Sequence, residues 1–223
     1  ASVTGFNILA AAVNTIATYD GVISGTGGLT VGGAGDPGTV VLTNITNSYS
    51  GGTTVSNAAT LSVANDLALG NLSGGLTLDG GELLATGSNF ITGRDIFLTG
   101  NNGTIAVEAN NSALFTSTST ITGPGSLIIG DAVNRGSVGF GGTSTYSGST
   151  TILSGATLQA LSNTALSPNS AFIVDGTLDV TGFDNQIASL AGADTGIVIN
   201  GDTVAAILTV GDSTSTTFSG VLK

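Results

Sequence analysis

Tyr49-Ser50-Gly51-Gly52-Thr53-Thr54-Val55 returns as Tyr146-Ser147-Gly148-Ser149-Thr150-Thr151-Ile152, a shift of 97 (146 − 49). Ala59-Thr60-Leu61 returns at the same shift as Ala156-Thr157-Leu158. Outward from this core the match continues. Gly27-Gly28-Leu29-Thr30-Val31 reappears as Gly125-Ser126-Leu127-Ile128-Ile129, and Leu76-Thr77-Leu78-Asp79-Gly80 as Phe172-Ile173-Val174-Asp175-Gly176. Leu98 and Ile105 match Leu190 and Ile197, so the shift drifts from 98 to 92. Such length changes fall in turns of a repeat array, while the apolar positions survive. Ile8-Leu9 and Tyr19-Asp20-Gly21-Val22-Ile23 match Ile207-Leu208 and Phe218-Ser219-Gly220-Val221-Leu222, shifted by 199. Two long units, about 19–116 and 117–217, are thus flanked by partial ones. A chain without Met whose third copy breaks off after Lys223 reads as a segment of a longer repeat protein.

Within each unit the apolar residues alternate over short distances. Leu61 with Val63, Leu67 with Leu69, Leu76 with Leu78, Ile96 with Leu98, and Ile105 with Val107 each sit two apart. Period two puts both members on one face of a strand. Gly51-Gly52, Gly74-Gly75, Gly80-Gly81, Asn101-Asn102-Gly103 and Gly141-Gly142 separate the runs as turns. A sandwich or barrel would use each strand once, in a non-repeating order. A long self-similar unit of short strands predicts stacked coils in which corresponding strands lie in register. The expected fold is all-β: a single-stranded right-handed parallel β-helix, or β-solenoid, running as one continuous body over 1–223. Coils of about 20–25 residues give about 9–11 turns, with about four turns per unit.

Composition narrows the class. The chain holds 36 Gly and 3 Pro, 40% hydrophobic residues and only 8% charged ones. That excludes collagen and argues against disorder. The net charge of −11 leaves Arg94, Arg135 and Lys223 against 14 carboxylates. Three cations cannot neutralise a run of phosphates, so no nucleic-acid partner is expected, and anionic membrane surfaces repel the chain. No apolar stretch is long enough to insert in a membrane as a helix. Cysteine is absent, so disulfides contribute nothing to stability.

The order of these elements resembles the autotransporter-associated β-strand repeat, the passenger-associated transport repeat of bacterial type V secretion. Tyr19-Asp20-Gly21-Val22-Ile23-Ser24-Gly25-Thr26-Gly27-Gly28-Leu29 opens the motif, followed by Ser48 to Val55, Ala58 to Leu61 and Ala68-Leu69-Gly70. The second copy supplies Thr145 to Ile152, Gly155-Ala156-Thr157-Leu158 and Ala165-Leu166. The motif positions are Tyr19, Gly21, Gly25, Leu29, Tyr49, Gly51, Thr53 and Leu61, then Tyr146, Gly148, Thr150 and Leu158, then Phe218 and Gly220. The turns at Gly33–Gly38, Asp131–Gly136 and Ser167-Pro168 depart from the family pattern. The resemblance implies a structural passenger segment on the bacterial cell surface or secreted, a stalk that supports transport and folding of the passenger. Its partner would be a C-terminal outer-membrane β-barrel of the same precursor. An adhesin or self-associating module that binds a host surface, glycan or biofilm partner is the alternative reading. A polysaccharide-active β-helix enzyme is the third.

Catalytic chemistry has few candidates. Without His or Cys, Ser-His-Asp and Cys-His triads are excluded, as are zinc sites of the usual ligands. A Ser-Lys dyad would need the terminal Lys223. Paired carboxylates remain, Asp175 with Asp179 or Glu82 with Asp79. Asp79 and Asp175 occupy one repeat position ahead of a Gly, which favours a turn role. Gly32-Gly33-Ala34-Gly35-Asp36 lacks the spacing and tandem copies of a calcium-binding nonapeptide. The aromatics recur at equivalent places, Tyr49 with Tyr146 and Tyr19 with Phe218, and read as core or turn anchors. Neither enzyme activity nor a cofactor is expected.

Overall fold

The computed structural model describes residues 7–211 and 214–223. Each inward residue of a strand must find apolar company, and a chain of short strands, two to nine residues long, finds it by winding. Asn7–Leu9, Leu29–Val31, Thr53–Ser56, Leu76–Asp79, Ile96–Leu98, Thr120–Thr122 and Thr143–Ser144 stack as a seven-stranded first sheet. A nine-stranded second sheet runs from Ala11–Tyr19 through Thr60–Val63 and Gly103–Val107 to Ser189–Ala191. A seven-stranded third sheet runs from Asn89–Thr92 to Val221–Leu222. In the last turns Asn185–Ile187 and Leu208–Val210 pair in the slot that the first sheet fills earlier. The strands pair in parallel, and partners lie from 18 residues apart (Ala171 with Ser189) to 26 apart (Ala11 with Pro37). One strand of the second sheet per turn gives about nine turns of a right-handed parallel β-helix.

The register builds continuous columns inside. On the second sheet Val40, Leu61, Leu83, Ile105, Ile129, Ile152 and Val174 are successive partners, all essentially inaccessible to solvent. On the third sheet the column reads Phe90, Ala113, Val138, Leu158 and Leu178. Phe115 stands edge-on to Phe140 at 5.5 Å, and Phe90 lies 6.5 Å below Phe115. Each fully buried aliphatic side chain contributes roughly 1.5–3 kcal/mol.

Among the described residues the third side has no strand before Asn89. There the chain makes a 3-10 turn, Asp66–Leu69, capped by Asn65, whose Oδ1 accepts from the Leu67 N–H at 2.9 Å. This turn lies at the foot of the third sheet, against its first strand.

The two long units are out of phase with the turns. Leu29 lies on the first sheet, and four turns carry that slot through Thr53, Leu76 and Ile96 to Ile121. Its repeat mate Leu127 lies one face further on, in the second sheet. Likewise Thr53 is on the first sheet and Thr150 on the second, and Leu61 is on the second and Leu158 on the third. The expectation of about four turns per unit, with corresponding strands in register, is therefore corrected to four and one-third turns. A turn is sized by closing three strands and three corners. A motif copied by sequence needs only a strand, a corner and a strand, which every face offers.

Ile105→Ala should lower unfolding free energy by about 2–5 kcal/mol in a denaturant titration. Ile91→Ala, whose side chain is half exposed, should shift it by under about 1 kcal/mol.

Candidate functional site

The motif residues converge on corners. Tyr49 and Tyr146 are buried, and each shares a hydrogen bond with the threonine four residues on: Thr53 at 2.7 Å and Thr150 at 2.6 Å. Burial pushes both phenols up to about 12. Thr150 also meets Ser170 at 2.8 Å. Beneath each aromatic corner runs a glycine corner of the previous turn. The N–H of Ser50 donates to Gly25 O, that of Ser147 to Gly123 O and that of Ser219 to Gly192 O, at 3.0–3.1 Å. Gly25 and Gly123 adopt φ of 119° and 115°, a region closed to most L side chains. A Cβ on Gly51 would stand 2.4 Å from Gly28 N, and one on Gly148 2.3 Å from the Gly125 carbonyl carbon. Gly220 packs the same way against Gly196. Phe218 is half-buried against the core, as is Tyr19, and Gly21 faces open space. Leu29, Leu61 and Leu158 fill the interior. These residues hold the rod together, and most lie where no ligand reaches. Phe6 lies outside the described residues.

The carboxylate pairs do not form. Asp175 and Asp179 are separated by the corner at Gly176, and Asp79 and Glu82 by the corner at Gly80-Gly81. Spacing of four places two residues on one face only where the strand is unbroken. Each Asp instead reaches the next turn. Asp175 Oδ1 accepts from Ala193 N–H, Asp179 Oδ1 from Gly201 N–H, Asp95 Oδ1 from Thr120 N–H and Asp184 Oδ1 from Ile207 N–H, at 2.7–2.9 Å. Asp79 Oδ1 accepts from the Asn101 amide at 2.8 Å and from the Thr99 hydroxyl. Asn44 and Asn71, which head glycosylation-like triplets, use Oδ1 to accept from Thr46 and Ser73 in tight turns. Gly33 and Asp36 close a short antiparallel bridge. Among the described residues no group of three or more His, Cys, Asp or Glu could hold a metal ion, and no helix is long and apolar enough to cross a membrane.

Two features escaped the sequence. Arg94, 4% exposed, crosses under the third sheet. Its Nε donates to Asp66 Oδ1 at 2.7 Å, and its terminal nitrogens to the carbonyls of Asp66, Gly70, Asn71 and Gly74. One guanidinium thus satisfies a whole turn of carbonyls beside the sheet's first strand. In the second unit Asn163 stands 97 residues after Asp66, and Asn185 ties the turn by donating to Ser162 O and accepting from Leu166 N–H. The second feature is the raised carboxyl of Glu82, a residue the sequence offered only as a partner for Asp79. Burial pushes its carboxyl up to about 7, the negative Asp131 adding to the effect. The Thr60 hydroxyl donates to Glu82 Oε1 at 3.4 Å and partly offsets it.

The outer face of the first sheet holds a hollow. Its residues Thr54, Thr77, Phe97 and Thr122 are successive register partners. With Gly52, Gly75, Asp95 and Thr120 they line a shallow hollow of about 300 Å³. A second hollow begins one rung on, at Thr143 and Thr145, and shares Asn163 and Gln186 with a third that ends at Ile207 and Thr209. The three lie end to end as a trough along the rod, the first and second on rungs paired through Thr120 and Thr143. The chain matches no family model, no curated protein and no solved structure.

Arg94→Met should lower stability by about 3–5 kcal/mol, because Asp66 is left as an uncompensated buried charge. The double variant Arg94→Met, Asp66→Leu should recover part of that in the same titration. The raised Glu82 gives a pH dependence of definite sign. Both states are protonated below the ordinary carboxylate pKa, so stability is highest there. It falls as pH rises through about 7, where the folded state must give up the proton. Melting curves should show Glu82→Gln stabilising at pH 8 and neutral at pH 4.

Proposed function

We propose that this chain is a rigid, non-catalytic rod within the passenger of a bacterial autotransporter, displayed outside the cell and helping its own export through a C-terminal β-barrel of the same precursor. The observation that carries the reading is the parallel solenoid of tandem units, in which every rung pairs with its neighbours about 18–26 residues away. Each rung emerging from a pore can dock on the one before it, without waiting for distant sequence. Docking buries an inward aliphatic set, and the free energy released opposes backsliding of the threaded chain. The absence of cysteine fits a chain that crosses as an extended thread. The acidic side chains support a structural reading too, since those of Asp79, Asp95, Asp175, Asp179 and Asp184 are already bonded to the next rung.

The test is a deletion that preserves phase. Thr53, Leu76, Ile96, Ile121 and Ser144 occupy one slot in five successive turns. Removing residues 53–143 from the full precursor therefore excises four turns and joins Gly52 to Ser144 on the same face. Surface appearance, followed by protease accessibility in intact cells, should slow several-fold. Unchanged export kinetics and yield would overturn the transport role.

A further inference from the structure

We propose that the outer face of the first sheet binds an extended, uncharged polysaccharide lying lengthwise along the rod. The trough follows one face from Gly51 to Thr209, rung after rung. At about 4.8 Å per rung its length is on the order of 30 Å. A column of hydroxyls, Thr54, Thr77, Thr122 and Thr145, borders it, and Phe97, 47% exposed, interrupts the column with its ring. Gly52 and Gly75 keep the floor low beside them. Further along, Asn163 and Gln186 supply amides that both donate and accept.

Three chemical facts select the ligand. No lining residue is Lys or Arg, while Asp95 and Asp184 are present. Nucleic acids and acidic polysaccharides would meet only repulsion there. Exposed large apolar groups are also sparse on the face, whereas a stable protein interface wants a continuous apolar, desolvated centre; among the lining residues Phe97, on the third rung, and Ile207, on the last, stand far apart. A sugar ring matches both halves of the surface. Its C–H face packs on an exposed aromatic ring, and its hydroxyls pair with threonine and amide groups. An extended pyranose chain advances per ring by a distance close to the strand spacing, so successive rings can meet successive rungs. The carboxylates of Asp95 and Asp184 are already engaged, each accepting a backbone N–H group through Oδ1.

The probes are neutral hexasaccharides (cellohexaose, mannohexaose, chitohexaose and maltohexaose), with hexamers of alginate and polygalacturonate as anionic comparators, titrated calorimetrically into the whole chain. At least one neutral hexasaccharide should bind, more tightly than its own disaccharide and than either anionic hexamer. Phe97→Ala should weaken that binding about tenfold. Phe97→Leu, which keeps bulk but loses the ring face, should weaken it nearly as much, and an unchanged melting temperature shows that each variant is folded. Ile91→Ala on the third sheet should leave affinity unaltered. Failure of every neutral probe, tighter binding of an anionic one, or indifference to both Phe97 variants would overturn the proposal. So would a Phe97-dependent dimer in sedimentation, which would assign the face to a second copy of the chain. None of these results would touch the rod reading, which stands on the interior.

Discussion

The fold rests on one requirement: the inward side chain of each rung must meet an inward side chain above and below it. From Val40 to Val174 the second sheet meets it without a break over seven rungs. Parallel register enforces this strictly. A slip of one residue would turn Leu61 and Leu83 to solvent and bring Thr60 and Glu82 inside. The corners, by contrast, absorb most of the variation between an 18-residue and a 26-residue turn, the widest turn also including a register shift between Ala11 and Ile16. Strands after Ala11–Tyr19 stay short, and loops such as 131–136 carry the irregularity.

The corners impose a second requirement, close approach of backbone to backbone. Gly51 over Gly28, and Gly148 over Gly125, leave no room for a Cβ. The aromatic beside each pair turns inward and fills the angle between two sheets, with its hydroxyl paired to a threonine on the adjoining strand. This knot is self-contained. It involves one corner and the corner beneath it, so it works at any of the three edges of the rod. That is why a unit of four and one-third turns is physically acceptable. The copied object is a corner with its flanking strands, and nothing in it records which face it started from.

The same distinction explains what was legible in the sequence. Period-two pairs such as Leu76 with Leu78 and Ile105 with Val107 report strands directly, and tandem recurrence reports stacking. Both signals are local or self-referential. Phase is neither, because an alignment counts residues and a solenoid counts turns. The pairing of Asp175 with Asp179 failed for a visible reason, since Gly176 between them is itself a corner signal that outweighs a spacing of four. Arg94 was hidden for a different reason. Its partner Asp66 is 28 residues earlier, and only the geometry of one turn brings the two together. The outer trough was legible only as scattered threonines until register aligned Thr54, Thr77 and Thr122.

The acidity of the chain follows from the corners as well. At each corner the strand ladder stops and N–H groups of the next rung lose their regular partners. An aspartate there accepts such a group, as Asp95 does for Thr120 and Asp179 for Gly201. A charged acceptor makes a stronger bond to an amide than a neutral one, and it needs no counter-charge when water reaches its other oxygen. Lysine or arginine could not do this work, because neither accepts a hydrogen bond. Carboxylates thus accumulate along the edges, cations stay rare, and the buried Arg94 is spent on carbonyls where an acceptor would be useless. Between the edges the outer face of the first sheet presents Thr54, Thr77 and Thr122 in register, interrupted by Phe97. A rod built this way gathers much of its charge at its corners and leaves on that face a strip of uncharged hydroxyls.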